Sequence, residues 1–138
     1  MLFLAKKFMT IPKKVMIIDD EPDVVAAIQN SLKNNGYKAN GFTDSRKALE
    51  EFRNNSQEYA LIISDIRMPG MSGFDLARRA KGTRPDVPIV LMSAFEINKP
   101  EFSSLFPSMS VSELVTKPMT KALLLAMVRK YVGITELH

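Results

Sequence analysis

The sequence predicts an α/β domain, a doubly wound parallel sheet of five strands in the order 2-1-3-4-5 with helices on both faces. Three observations lead there. Short apolar runs alternate with stretches of helical periodicity from Lys14 to Tyr131. The strongest runs are apolar at every position, which marks strands covered on both faces. Right-handed crossovers then leave few topologies, and this strand order is the common one at this size.

The elements follow in order. Val15-Met16-Ile17-Ile18 is a buried strand ending in acids. Pro22 suits a first helical position, with Glu21 and Asp23 near the positive end of the helix dipole. Val24, Val25, Ile28 and Leu32 supply that helix with an apolar stripe, and Gly36 suits its stop. Tyr37–Phe42 reads as a second, weaker strand, and Ser45–Arg53 as a helix with Ala48, Leu49 and Phe52 inward. Tyr59–Ser64 is a strongly apolar third strand. Phe74–Ala80 is a short helix, preceded by Ser72 and Asp75 at capping-box spacing. Pro88–Met92 and Val111–Val115 are the fourth and fifth strands. Lys121–Tyr131 closes the domain with Leu124, Met127, Val128 and Tyr131 on one face. Between strands four and five, Pro100 and Pro107 confine a fourth helix to a short or irregular element.

The totals bound the function. A chain of 138 residues fits one domain, expected over residues 13–132, with an N-terminal extension at 1–12 and a tail at 133–138. The absence of cysteine excludes disulfides and thiolate chemistry, and a single histidine, His138, argues against a histidine-based site. The net charge of +4 resides in residues 1–14, which hold four lysines and no acid, so the domain itself is balanced. A nucleic-acid partner is therefore not expected through this domain. Leu2-Phe3-Leu4-Ala5 is too short for a secretory or membrane segment, so a cytoplasmic protein with no membrane partner is expected.

In open parallel sheets function collects at the carboxyl ends of the strands. Asp19 and Asp20 follow strand one, Asp65 strand three, Ser93 strand four and Lys117 strand five. The strand order brings three carboxylates, a hydroxyl and an ammonium together. Three close carboxylates repel one another, and a hard divalent cation resolves this. Such a site suits Mg²⁺ and a phosphoryl group, with a carboxylate nucleophile forming an acyl phosphate. Lys117 would pair with a phosphoryl oxygen and Ser93 donate to another. Each residue alone has a plainer reading: helix N-terminal acids, a turn aspartate, a loop hydroxyl, a solvated lysine. The functional reading rests on all of them lying at strand ends in the right order.

The segments Ile17-Ile18-Asp19-Asp20-Glu21-Pro22, Ile63-Ser64-Asp65-Ile66-Arg67-Met68-Pro69-Gly70-Met71-Ser72-Gly73, Met92-Ser93-Ala94 and Val115-Thr116-Lys117-Pro118 resemble the receiver domain of two-component response regulators. The resemblance runs from about Lys14 to Tyr131 and implies a flavodoxin-like fold. It implies Asp65 as phosphoacceptor, Ser93 as switch hydroxyl and Lys117 as phosphate-binding residue, with Lys117-Pro118 a cis peptide. It implies Mg²⁺ (or Mn²⁺) held by Asp20, Asp65 and the backbone carbonyl of Arg67, and by Asp19 through water. Arg67 and Phe95 would flank the phosphoryl group and set its lifetime. The implied partners are a sensor histidine kinase or phosphotransfer protein and a downstream protein, with homodimerisation on phosphorylation left open. The domain would not be an enzyme, catalysing only its own phosphorylation and dephosphorylation.

Two departures concern signal output. Leu114 stands where the family usually has an aromatic residue, and Ser108-Met109-Ser110 where it usually has a Gly-Ala pair. A readout without an aromatic rotamer switch is expected. The competing readings are a constitutive receiver-fold interaction module, an aspartate-nucleophile phosphatase and a flavin binder. The complete acidic set argues against the first. The phosphatases resemble Asp-x-Asp, whereas Asp19 and Asp20 are adjacent. A flavin phosphate would meet those acids without a Ser/Thr/Gly-rich cradle.

Overall fold

Alternate residues of each strand face opposite sides of a sheet, and in this chain both sides are apolar. Val15 and Ile17 point into one layer, while Met16 and Ile18 point into the other. The computed structural model describes residues 13–94 and 111–134. Its elements are β1 (Lys14–Ile18), α1 (Pro22–Asn34), β2 (Lys38–Phe42), α2 (Ser45–Asn55), β3 (Tyr59–Asp65), α3 (Gly73–Thr83), β4 (Ile89–Ser93), β5 (Glu113–Thr116) and α4 (Lys121–Tyr131), with a 3-10 turn at Ser56–Glu58. The sheet is parallel throughout, in the order β2-β1-β3-β4-β5.

Two apolar layers sandwich the sheet. On one face α1 and α4 bury Val25, Ile28, Leu32, Leu124, Met127 and Val128 against Val15, Ile17, Leu61 and Ile63. On the other, α2 and α3 bury Leu49, Phe52, Leu76 and Ala80 against Met16, Ile18 and Ile62. β3 is buried along its whole length, as its uninterrupted apolar run requires.

Side-chain caps hold the starts of α2, α3 and α4, while α1 starts at Pro22 without one. Asp44 Oδ1 accepts from Arg46 N at 2.8 Å, and Thr120 Oγ1 accepts from Leu123 N at 3.1 Å. Ser72 Oγ accepts from Asp75 N at 3.2 Å and also donates to Asp75 Oδ2. The helix that Ser72 caps begins at Gly73, one residue before its expected start. The fifth strand differs from expectation more clearly. It spans Glu113–Thr116, two residues later than the apolar run began. Ahead of it Ser112 bonds across to the start of β4, its N–H donating to Ile89 O at 2.8 Å while its Oγ accepts from Ile89 N at 3.2 Å. The expected short helix around Pro100 and the N-terminal extension lie outside the described residues.

β5 is tied to α4 through Glu113. Its Oε2 accepts from Lys130 Nζ and from Tyr131 Oη, each at 2.8 Å. The lysine bond first, and the tyrosine bond second, hold the Glu113 carboxyl below the usual glutamate range. A carboxyl pKa depressed by folding contributes stability that is present above the unfolded value and lost as pH falls through the folded one. Glu113→Gln should therefore flatten the acid limb of thermal stability. Melting temperatures of both proteins, followed from neutral pH to below the glutamate range, check this; parallel acid limbs would contradict it.

Candidate metal- and phosphate-binding site

The ladder registers align the strand ends. Ile18 pairs with Ser64, Asp65 with Met92 and Ser93 with Thr116. Asp19 and Lys117, just past β1 and β5, and Asp65 and Ser93, the last residues of β3 and β4, therefore lie over the same edge of the sheet. One carboxylate oxygen from each of Asp19, Asp20 and Asp65 lies within 4.8 Å of the others. Lys117 Nζ reaches into the cluster, 2.6 Å from Asp19 Oδ2 and 3.6 Å from both Asp65 Oδ2 and Glu21 Oε1. A cavity of about 190 Å³ opens here, lined by Asp20, Asp65, Arg67, Ser93, Lys117 and others.

The two adjacent aspartates sit differently. Asp19 is fully buried: Oδ1 accepts from Glu21 N at 2.9 Å, and Oδ2 meets Lys117. Asp20 is exposed and lines the cavity. Asp65 is buried, with Oδ1 accepting from Ile66 N at 2.9 Å, while Oδ2 faces Lys117. Burial, and secondarily the Asp19 charge, pushes the Asp65 carboxyl above the usual aspartate range. Burial works against the Lys117 ammonium, but the bond to Asp19 and the charges of Asp19, Asp65 and Glu21 raise its pKa overall.

The backbone serves the same place. Lys117 N donates to Ser93 O at 2.7 Å and Ile66 N to Met92 O at 3.0 Å, fixing the strand exits against each other. The Lys117-Pro118 peptide is cis. The loop after Asp65 turns through Gly70 at φ +81° and returns so that Gly73 N donates to Ile66 O at 2.8 Å. A Cβ on Gly73 would press into the Asp65 carbonyl oxygen and Ile66 Cα. Gly73→Ala should therefore cost about 1–3 kcal/mol, as overpacking against a backbone does. Urea unfolding measures this, and a loss well under that range would show that the loop yields freely.

The donor set fits a hard divalent cation. Three carboxylates and the nearby Glu21 face one ammonium, an excess of negative charge at short range that oxygen-preferring Mg²⁺ relieves. Asp19, Asp20, Asp65, Arg67, Ser93 and Lys117, expected at this site from the sequence, lie here, whereas Phe95 lies outside the described residues. Glu21, read only as a helix-terminal acid, proves to line the cavity within reach of Lys117. Its place directly after the strand-end aspartates was the available signal. Leu114 is half-buried and packs against the α2–α3 layer.

A parallel sheet with a carboxylate cluster and a lysine at its strand ends defines an open α/β domain with its candidate site where such sheets bind ligands. A family model for the response regulator receiver domain matches residues 15–129, and the chain belongs to that family. The response regulator RppA of Synechocystis is 28% identical over 116 residues, covering 84% of this chain and 49% of RppA. The two-component response regulator ORR21 of rice is 36% identical over 81 residues, 59% of this chain and 12% of ORR21. The chain thus spans half or less of the length of these curated relatives. Among solved structures, a receiver domain protein from Clostridium thermocellum superposes with a TM-score of 0.78 at 23% identity, covering 88% of this chain and 94% of that one. TrrA from Thermotoga maritima, solved in complex with Mg²⁺–BeF, gives 0.74 at 28% identity, covering 86% and 98%. Receiver domains of this family are signalling phosphoacceptors, and among the described residues no helix is long and apolar enough to cross a membrane.

Proposed function

We propose that this chain is a phosphorylation switch whose acceptor is Asp65, charged from the phosphohistidine of a sensor kinase or phosphotransfer protein. The observation that carries it is Asp65, buried at the end of β3 beside Asp19 and Asp20, with Lys117 Nζ 3.6 Å from Oδ2. Asp20, Asp65 and the Arg67 carbonyl would hold Mg²⁺, with Asp19 acting through water. When bound, the cation supplies charge neutralisation for the incoming phosphoryl oxygens.

The protein's own groups do the rest. The Ile66 N–H holds Asp65 Oδ1 and leaves Oδ2 toward the cavity as the nucleophilic oxygen. An Oδ2–P bond forms as the N–P bond of the donor phosphohistidine breaks; the donor ring, protonated on its other nitrogen, keeps the bonding pair and departs as neutral imidazole. Lys117 exchanges part of its contact with Asp65 for a phosphoryl oxygen. Ser93, buried at the end of β4 and lining the cavity, donates to another. That bond would carry the change into β4 and β5, where Leu114 in place of an aromatic residue calls for a readout other than ring rotation. The bound cation and the cytoplasmic compartment of such kinases belong to this same reading.

Intact mass after incubation with acetyl phosphate tests it. A single phosphoryl adduct should appear with Mg²⁺ and be absent with EDTA. A folded protein that takes no adduct would point instead to a constitutive interaction module of the same fold.

A further inference from the structure

A second cavity, of about 330 Å³, lies between α2 and α3 and is lined by Arg46, Leu49, Arg53, Gly70, Met71, Asp75 and Arg79. Three guanidinium groups reach it from two helices, and Arg46 folds over Gly70. Among the described residues none of the three side chains makes an ion pair or a hydrogen bond. Asp75 is the sole acid in the lining, and it is already engaged by Arg78 and by Ser72. Glu50, on the same helix as Arg46 and Arg53, pairs with neither of them. Arg46 also sits in the first turn of α2, where the helix dipole disfavours a cation. Convergent like charges without carboxylate partners repel one another until an anion joins them.

We propose that this cavity binds an oligophosphate chain, free or as the tail of a nucleotide. Guanidinium forks match phosphate oxygens two at a time, so three forks suit several linked phosphates. The cavity holds about ten waters' worth of space, more than one orthophosphate fills. Buried Leu49 and Met71 line it alongside the arginines, so part of its wall is apolar. The proposal is independent of Asp65, whose site is a separate cavity at the strand ends.

Calorimetric titration of the full chain in EDTA, with sodium tripolyphosphate, orthophosphate and a nucleoside triphosphate as probes, tests this. Saturable one-to-one binding of tripolyphosphate is expected, with orthophosphate weaker by roughly tenfold or more. Arg53→Gln/Arg79→Gln should weaken tripolyphosphate roughly tenfold or more, while the equally charged control Lys121→Gln/Arg129→Gln, on the other face of the sheet, leaves it unchanged. Equal affinity for tripolyphosphate and nucleotide assigns the site to the phosphate chain, and tighter nucleotide binding assigns it to a nucleotide. No saturable tripolyphosphate binding, or equal weakening in the control, overturns the proposal.

Discussion

Asp65→Asn is expected to abolish the phosphoryl adduct and at the same time to make the metal-free protein more stable. The first effect removes the proposed nucleophilic oxygen. The second follows from the environment. Burial and the neighbouring Asp19 push the Asp65 carboxyl above its usual range, so the folded chain binds that proton more tightly than the unfolded chain does. Stability then falls as pH rises from the ordinary aspartate value through the raised one. Asparagine is neutral at every pH and keeps an oxygen for the Ile66 N–H. A gain of about 0.5–2 kcal/mol is expected in EDTA, in the range of other substitutions that relieve a functional site. Mg²⁺ should stabilise the wild type by mass action and the variant much less. Melting temperatures with and without Mg²⁺, beside intact mass, decide it. A variant less stable than the wild type in EDTA would mean that the bonds to Asp65 outweigh its burial and repulsion.

Lys117→Met should act in the opposite direction. The substitution keeps the aliphatic stem and removes the one ammonium among four acids. Asp19, fully buried, then loses its cation. Breaking a buried pair from one side typically costs about 3–5 kcal/mol, and partial solvent access at Glu21 and Asp20 argues for the lower end. Mg²⁺ should recover much of the loss and raise the melting temperature more than it does in the wild type, because the cation replaces the missing charge. Phosphoryl transfer from acetyl phosphate should slow by about 10²–10³-fold, the usual effect of removing one stabilising donor. A Mg²⁺ response no larger than that of the wild type would count against the charge-balance account, and an unchanged rate against the proposed role of Lys117.

Much of this site was legible beforehand because parallel sheets put function at their strand ends. Asp19, Asp20, Asp65, Ser93 and Lys117 each follow an apolar run, and strand order alone brings them together. The split between Asp19 and Asp20 was not legible from residue type. Successive side chains at a strand end point opposite ways, so one carboxylate meets Lys117 in the interior while the other faces solvent. Glu21 was legible only as a helix-terminal acid, because its reach toward Lys117 depends on where β5 places its loop.

The fold class and the order of its elements were determined by the sequence itself. Apolar runs of strand length, alternating with helical stripes, have one economical way to bury both faces of each strand. Element boundaries depended on bonds that periodicity does not reveal. The Ser112–Ile89 exchange delays β5, whereas α2 and α4, capped by Asp44 and Thr120, start at Ser45 and Lys121 as expected. The arginine cavity belongs wholly to the tertiary structure. Arg46 and Arg53 lie on one helix and Arg79 on another, and only the packing of α2 beside α3 across the Gly70 turn brings their charges to one place. Hydrophobic pattern encodes which faces are buried; which exposed charges meet depends on how the helices lie over the sheet.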